Sequence, residues 1–312
     1  RSTPLYSSAA SDVYKRQVLA LGTDPRNRGM FFLVLTIFTH GCFPLPYAKA
    51  MQSIQPMVAV VGIFCCALLL SIPGAWHLRR KFNFRLKNIA IIVAVALLGM
   101  LANYSICHAI VGSSATMFNV ISRAEIIIAM ILGWVYLQEH VGLRIWIAVA
   151  VVMSGILLMR GDNLTFNLAD WETVLWALCT AGCFAAVQVL SKLIIHEVDP
   201  HVLNVLRLSL AVLVLLTLPG LAVEVSMLTL EGGTWLGIAA FFGPFLGRIT
   251  YTYSLRYFTI AKAMTAITFS PVLTLIFEFL IFGRMLSTFE LIGGALVITG
   301  ILIAFRQTGT SN

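Results

Sequence analysis

Ten apolar runs succeed one another along this chain, at about 30–50, 56–76, 88–110, 115–138, 142–160, 171–195, 201–222, 233–256, 261–283 and 289–306. Most reach the roughly 20 residues that one bilayer crossing takes as helix. They are continuous rather than alternating, and membrane β-strands are shorter and patterned with period two. In hydrocarbon every backbone N–H and C=O must be satisfied within the protein, which leaves helices as the solution for such runs. Charged residues make up only 11% of the chain, against roughly 25% in soluble domains. That deficit excludes a soluble enzyme with its own solvated surface.

The net charge of +8 lies in short loops, which is a topology signal rather than a nucleic-acid footprint. With the N-terminus in the cytoplasm, the inside loops hold Arg26, Arg28, Arg79, Arg80, Lys81, Arg85, Lys87, Arg144, Lys192, Arg256, Lys262 and Arg306. The outside loops hold Lys49, Arg160 and Arg284, and the loop with Glu224 and Glu231 has no base. Both termini are therefore expected on the cytoplasmic side of a bacterial inner (plasma) membrane, crossed many times. The six cysteines fall inside apolar runs without C-x-x-C or metal-ligand spacing, so they are expected to act as small packing residues. Residues 1–17 share no pattern with the rest of the chain and resemble an adaptor-like segment.

An internal repeat sharpens the architecture. The fifth run contains IAVAVVMSGILL (147–158) and the tenth IGGALVITGILI (292–303), identical at six of twelve positions with an offset of 145. Gly41-Cys42-Phe43 in the first run echoes Gly182-Cys183-Phe184 in the sixth, and Pro73-Gly74 echoes Pro219-Gly220. A duplicated unit with an odd number of spans must lie the other way up in the membrane. The expected fold is thus an all-α membrane protein of ten transmembrane helices, arranged as two inverted five-helix repeats. The parts are an N-terminal segment 18–29, a first repeat 30–160, a linker 161–170, a second repeat 171–306 and a tail 307–312. Inverted repeats recur in secondary transporters, because exchanging the conformations of the halves opens the site to opposite sides.

Several motifs carry a family resemblance. LGWVYLQEHVGLRIWIAVAVVMSGILL, with Glu139, and SPVLTLIFEFLIFGRMLSTFELIGGALVITGILI, with Pro271, resemble the closing helices of the two EamA-type repeats of the drug/metabolite transporter superfamily. Leu203-Asn204-Val205-Leu206-Arg207 resembles the arginine motif of that family's second helix. The pattern departs at Ile126, where the first repeat would have proline, and at Arg284, where the second would have glutamate. The resemblance covers about 30–306. It implies cytoplasmic termini, a central cavity between the halves, and export or exchange of small metabolites.

Ionisable residues within the runs point to where a solute would sit, since a charge at the bilayer centre costs about 2.5–3.5 kcal/mol on insertion scales. Arg123 and Glu125 fall near the middle of the fourth run and Arg248 near the middle of the eighth. Arg123 and Glu125 are two apart and cannot share a helix face, so each is expected to meet another helix. Asn119 shares the face of Arg123, and Tyr251 that of Arg248. Arg123, Glu125, Asn119, Arg248, Tyr251, Tyr104 and His40 are the expected substrate-binding residues, with arginine suited to carboxylates by its two-donor fork. His40 precedes Pro44 and Pro46, which should interrupt the first helix and free carbonyls. Glu278, Lys49 and Lys192 are expected to gate or couple. The packing alternative pairs Arg248 with Glu125 or Arg123 with Glu278, leaves Arg207 to snorkel to the interface, and leaves Lys192 as an interfacial anchor.

No Walker A loop, zinc-protease or nucleophile-elbow motif stands in a plausible context, and no catalytic residue, metal or cofactor is expected. The expected function is secondary transport of small organic metabolites by alternating access, for anionic or zwitterionic compounds such as amino acids, as exporter or exchanger. The competing class is a membrane-embedded enzyme acting on a lipid or isoprenoid; a third is a channel-like or structural subunit. The expected partners are a small-molecule substrate and the lipid bilayer, with no nucleic acid and with a homodimer left open.

Overall fold

The computed structural model describes residues 24–52, 54–78, 85–112, 121–159, 171–217, 229–282, 285 and 287–305. Among them all regular structure is helical: α1 Pro25–Cys42, α2 Pro44–Ala50, α3 Pro56–Leu78, α4 Leu86–Gly112, α5 Ala124–Leu137, α6 Leu143–Met159, α7 Trp171–Ile194, α8 Pro200–Leu216, α9 Leu230–Ala240, a π-helical turn Phe241–Gly247, α10 Arg248–Ser254, α11 Ile260–Ile267, α12 Ser270–Phe282 and α13 Thr288–Phe305. These elements make ten spans. The first is α1 with α2, the eighth runs from α9 through the π turn into α10, and the ninth is α11 with α12. Six segments contain an 18-residue window long and apolar enough to cross a membrane. Three more, α5, α6 and α8, are apolar but shorter.

Outward-facing side chains such as Leu69, Trp134, Tyr136 and Leu302 are 63–68% exposed, which in a bilayer is contact with lipid. The aromatic pair near the end of α5, Trp134 and Tyr136, suits the interfacial belt in which such rings collect. Inside, the packing relies on small residues: Ala59, Ala67, Ala96, Ala102, Ala177, Ala181, Ala239 and Ala240 are buried, and helices without a hydrophobic driving force gain contact by close backbone approach.

The seam between α6 and α13 shows how the halves are related. A Cβ on Gly155 would stand 2.6 Å from the Gly293 carbonyl oxygen, and one on Gly300 would stand 2.8 Å from the Ala148 carbonyl oxygen. The offset of 145 maps Gly155 onto Gly300 and Ala148 onto Gly293. The contact 155–293 therefore becomes the contact 300–148 when the halves are exchanged. That reciprocity is what a two-fold axis between the two helices requires. The repeat detected in the sequence is the repeat that meets itself.

Two interruptions shape the interior. Pro44 and Pro46 cannot donate to the carbonyls of His40 and Cys42, and the first span turns at Phe43, as expected, continuing as α2 with Phe43 still in helical dihedrals. In the eighth span Pro244 lies inside the π turn, where the missing N–H and the wider turn leave carbonyls available. The two irregular stretches face each other: a Cβ on Gly243 would stand 2.5 Å from the Phe43 ring, and one on Gly247 3.3 Å from the His40 ring.

Candidate functional site

The intramembrane charges converge. Gln188 of α7 donates through Nε2 to Glu125 Oε1 at 3.2 Å, and its Oε1 accepts from Arg248 Nη1 at 3.3 Å. The pairing of Arg248 with Glu125 is thus indirect, with one amide relaying between carboxylate and guanidinium. Arg248 Nη2 is enclosed and has no hydrogen-bond partner among the described residues. Tyr251, one turn on, is 2% exposed; its ring centroid lies 5.9 Å from the Arg248 guanidinium carbon and its hydroxyl contacts Met264 Sδ at 3.2 Å.

Around this relay lie further cations. Arg123 and Arg248 are both within electrostatic reach of His40 and of Glu125, and Arg207 is within reach of Arg248. His40 is held by its Nδ1 against the Thr36 carbonyl at 2.9 Å. Two guanidinium groups thus lie near one carboxylate, with Arg207 beyond Arg248.

Arg207 does not snorkel. Its Nε donates to Asn204 Oδ1 at 2.9 Å and its Nη2 to the Pro244 carbonyl at 3.4 Å. Asn204, 2% exposed, donates to Ser71 Oγ at 2.9 Å and to the same Pro244 carbonyl at 3.0 Å. The Asn-x-x-Arg spacing puts both side chains on one face of α8, where they tie the second, seventh and eighth spans. The carbonyl they share belongs to the π turn.

Several sequence expectations are corrected. Arg123 is not inside a continuous helix; it is the turn residue that precedes α5, and Glu125 lies in the first turn of that helix. Tyr104 is 37% exposed and sits with His108 and Trp176, at ring distances of 4.4 and 5.9 Å, in an aromatic cluster of α4 and α7 rather than with the relay. Lys192 is no interfacial anchor. Its ammonium meets Glu139 Oε1 at 2.5 Å, with the two side chains only 17% and 10% exposed, and donates to the Phe258 carbonyl at 2.5 Å. Lys49 is exposed near the end of α2. Asn119 lies outside the described residues, as does the side chain of Glu278. Gln188 was missed by sequence reasoning; its signal was an amide inside an apolar run. No cluster of metal-ligating side chains exists among the described residues.

An inverted pair of five-span halves with buried charge at their junction is the architecture of a membrane transporter for small molecules. The chain belongs to the EamA-like transporter family, whose model matches residues 27–161 and 171–306, one copy on each half. A solved structure described only as "Crystal structure of protein" shares the fold, with a TM-score of 0.72 at 14% identity, covering 90% of this chain and 97% of that one. No curated protein matches the sequence.

Proposed function

We propose that this protein is a secondary transporter that moves small organic anions or zwitterions, amino acids among them, by alternating access, as an exporter or exchanger. The observation that supports this most directly is the enclosed Arg248 Nη2, which has no hydrogen-bond partner among the described residues although Nη1 of the same fork is held by Gln188. A buried donor without a partner costs free energy that a bound acceptor restores, and a carboxylate supplies two acceptors in the plane of the guanidinium fork. Arg123, Arg248, Tyr251 and His40 line the site, and Glu125 with Gln188 orients Arg248; in a zwitterion, Glu125 receives the ammonium. Loop charge supports cytoplasmic termini.

The test is flux in proteoliposomes with a metabolite panel, with and without a proton gradient. Saturable uptake of a carboxylate-bearing solute is the expected result. Absence of flux for every solute, together with turnover of a lipid, would overturn it in favour of a membrane enzyme.

A further inference from the structure

The Lys192–Glu139 pair lies where it can govern access to the relay. Lys192 is four residues beyond Gln188 on α7, so the two side chains share a face one turn apart. Glu139 reaches this point because α5 ends in a tight reversal: Gln138 adopts φ 54°, and the Glu139 N–H returns to the Gly133 carbonyl at 3.2 Å. Glu139 Oε2 then accepts the Ile260 N–H, at the start of α11, at 2.9 Å. One carboxylate and one ammonium thereby join the fourth span, the sixth span and the connection from the eighth span to the ninth.

The joint is local to one end. α5 packs on α11 there, whereas α12, the continuation of the ninth span toward the other end, packs on α1 and α2. At the other end the sequence does not repeat the carboxylate. The offset of 145 maps Glu139 onto Arg284, and Lys49 lies near the end of the first span as Lys192 lies near the end of the sixth. The second copy therefore carries a cation where the first has its carboxylate.

We infer that Glu139 and Lys192 form a charge-locked gate that closes the Lys192 end of the substrate site, and that the inverted copy, with Arg284 at the position of Glu139, does not repeat the pair. Resting on the transporter assignment above, the inference specifies how its cycle is biased: this end stays shut until the fourth, sixth and ninth spans separate, and separation breaks one buried ion pair and the bond to the Ile260 N–H. Because Gln188 is one turn from Lys192, a solute that draws Arg248 away from Gln188 acts on the span that carries the lock.

Accessibility tests this without any substrate. In a cysteine-free background a single cysteine replaces Ser191, which is 2% exposed and next to Lys192. In oriented vesicles it is labelled with a membrane-impermeant maleimide from the Lys192 end. Glu139→Gln keeps an acceptor for the Ile260 N–H and removes the ion pair; Lys192→Met removes it from the other side. Each is expected to raise the labelling rate at least about tenfold, within the usual range of coupling between two conformations. The double variant is expected to match the faster single one, because both remove the same contact. Labelling of monodisperse single variants within about twofold of the parent, or fully additive effects, would overturn the gate. Flux in proteoliposomes is a separate readout, so a transporter with no gate here and a gated protein with no flux give different results.

Discussion

At the α6–α13 seam the two halves are interchangeable, contact for contact, and the residues that meet there are glycine, alanine and aliphatics. In the polar layer they are not. Glu125 and Gln188 come from the fourth and sixth spans and Arg248 from the eighth, and the offset of 145 sets Ser270 against Glu125 and Arg284 against Glu139. Packing tolerates duplication because close approach asks only for small residues. Charge does not, because a buried cation needs an anion and a copy of the same cation repels it. The duplication has been kept where it builds the scaffold and abandoned where it builds the site.

The largest effect expected from this contrast is at the seam. Gly155→Leu and Gly300→Leu each force a branched side chain against opposing backbone, where even a Cβ has no room. Overpacking of this kind costs about 1–3 kcal/mol or more, and the thermal unfolding temperature in detergent should fall in both. Because the axis relates the two sites, the falls should be similar. A large effect at one glycine and none at the other would break the symmetry argument.

In the polar layer the expected signature is the reverse, with function lost before stability. Arg248→Ala should lower flux of a carboxylate solute by two orders of magnitude or more, since removing a charge-assisted partner of a buried anion is worth several kcal/mol. Arg123→Ala should lower it too. Normal flux in both variants with only a loss of thermal stability would assign these arginines to packing. Gln188→Leu separates the relay from the cations. It leaves Glu125 and Arg248 present but unbridged, and should cost about 1–3 kcal/mol of stability with weaker solute binding.

The sequence made the scaffold legible and the site only in outline. Ten spans, the inverted repeat and the break before Pro44 follow from hydrophobicity, offset and proline chemistry, which are local properties. Arg248, Tyr251, Glu125 and His40 were visible as polar groups in apolar runs. Their connection was not, because Gln188 is separated by 60 residues from Arg248 and by 63 from Glu125, and no periodicity reports a contact between helices. Tyr104 was misplaced for the same reason: depth along a helix is readable, but the face it presents to a neighbour is not. Pro244 was the available signal for the π turn, yet only the structure shows that its carbonyl serves Asn204 and Arg207 together.

The smallest expected effect concerns Gln138, the one non-glycine residue with positive φ among those described. A side chain in this left-handed conformation costs about 1 kcal/mol relative to the helical region, and glycine would relieve it while adding freedom to the unfolded chain. Gln138→Gly should therefore change thermal stability by less than about 1 kcal/mol, upward if the strain outweighs the entropy. Its side chain is exposed and the turn that aims Glu139 at Lys192 needs only the backbone, so maleimide labelling at position 191 should keep the parent's rate. A variant that labels faster while remaining folded would show that the glutamine side chain, and not the turn alone, holds the carboxylate in place. Among the described residues strain of this kind is thus expected at the end of α5, and the symmetric seam should gain nothing from a comparable relief.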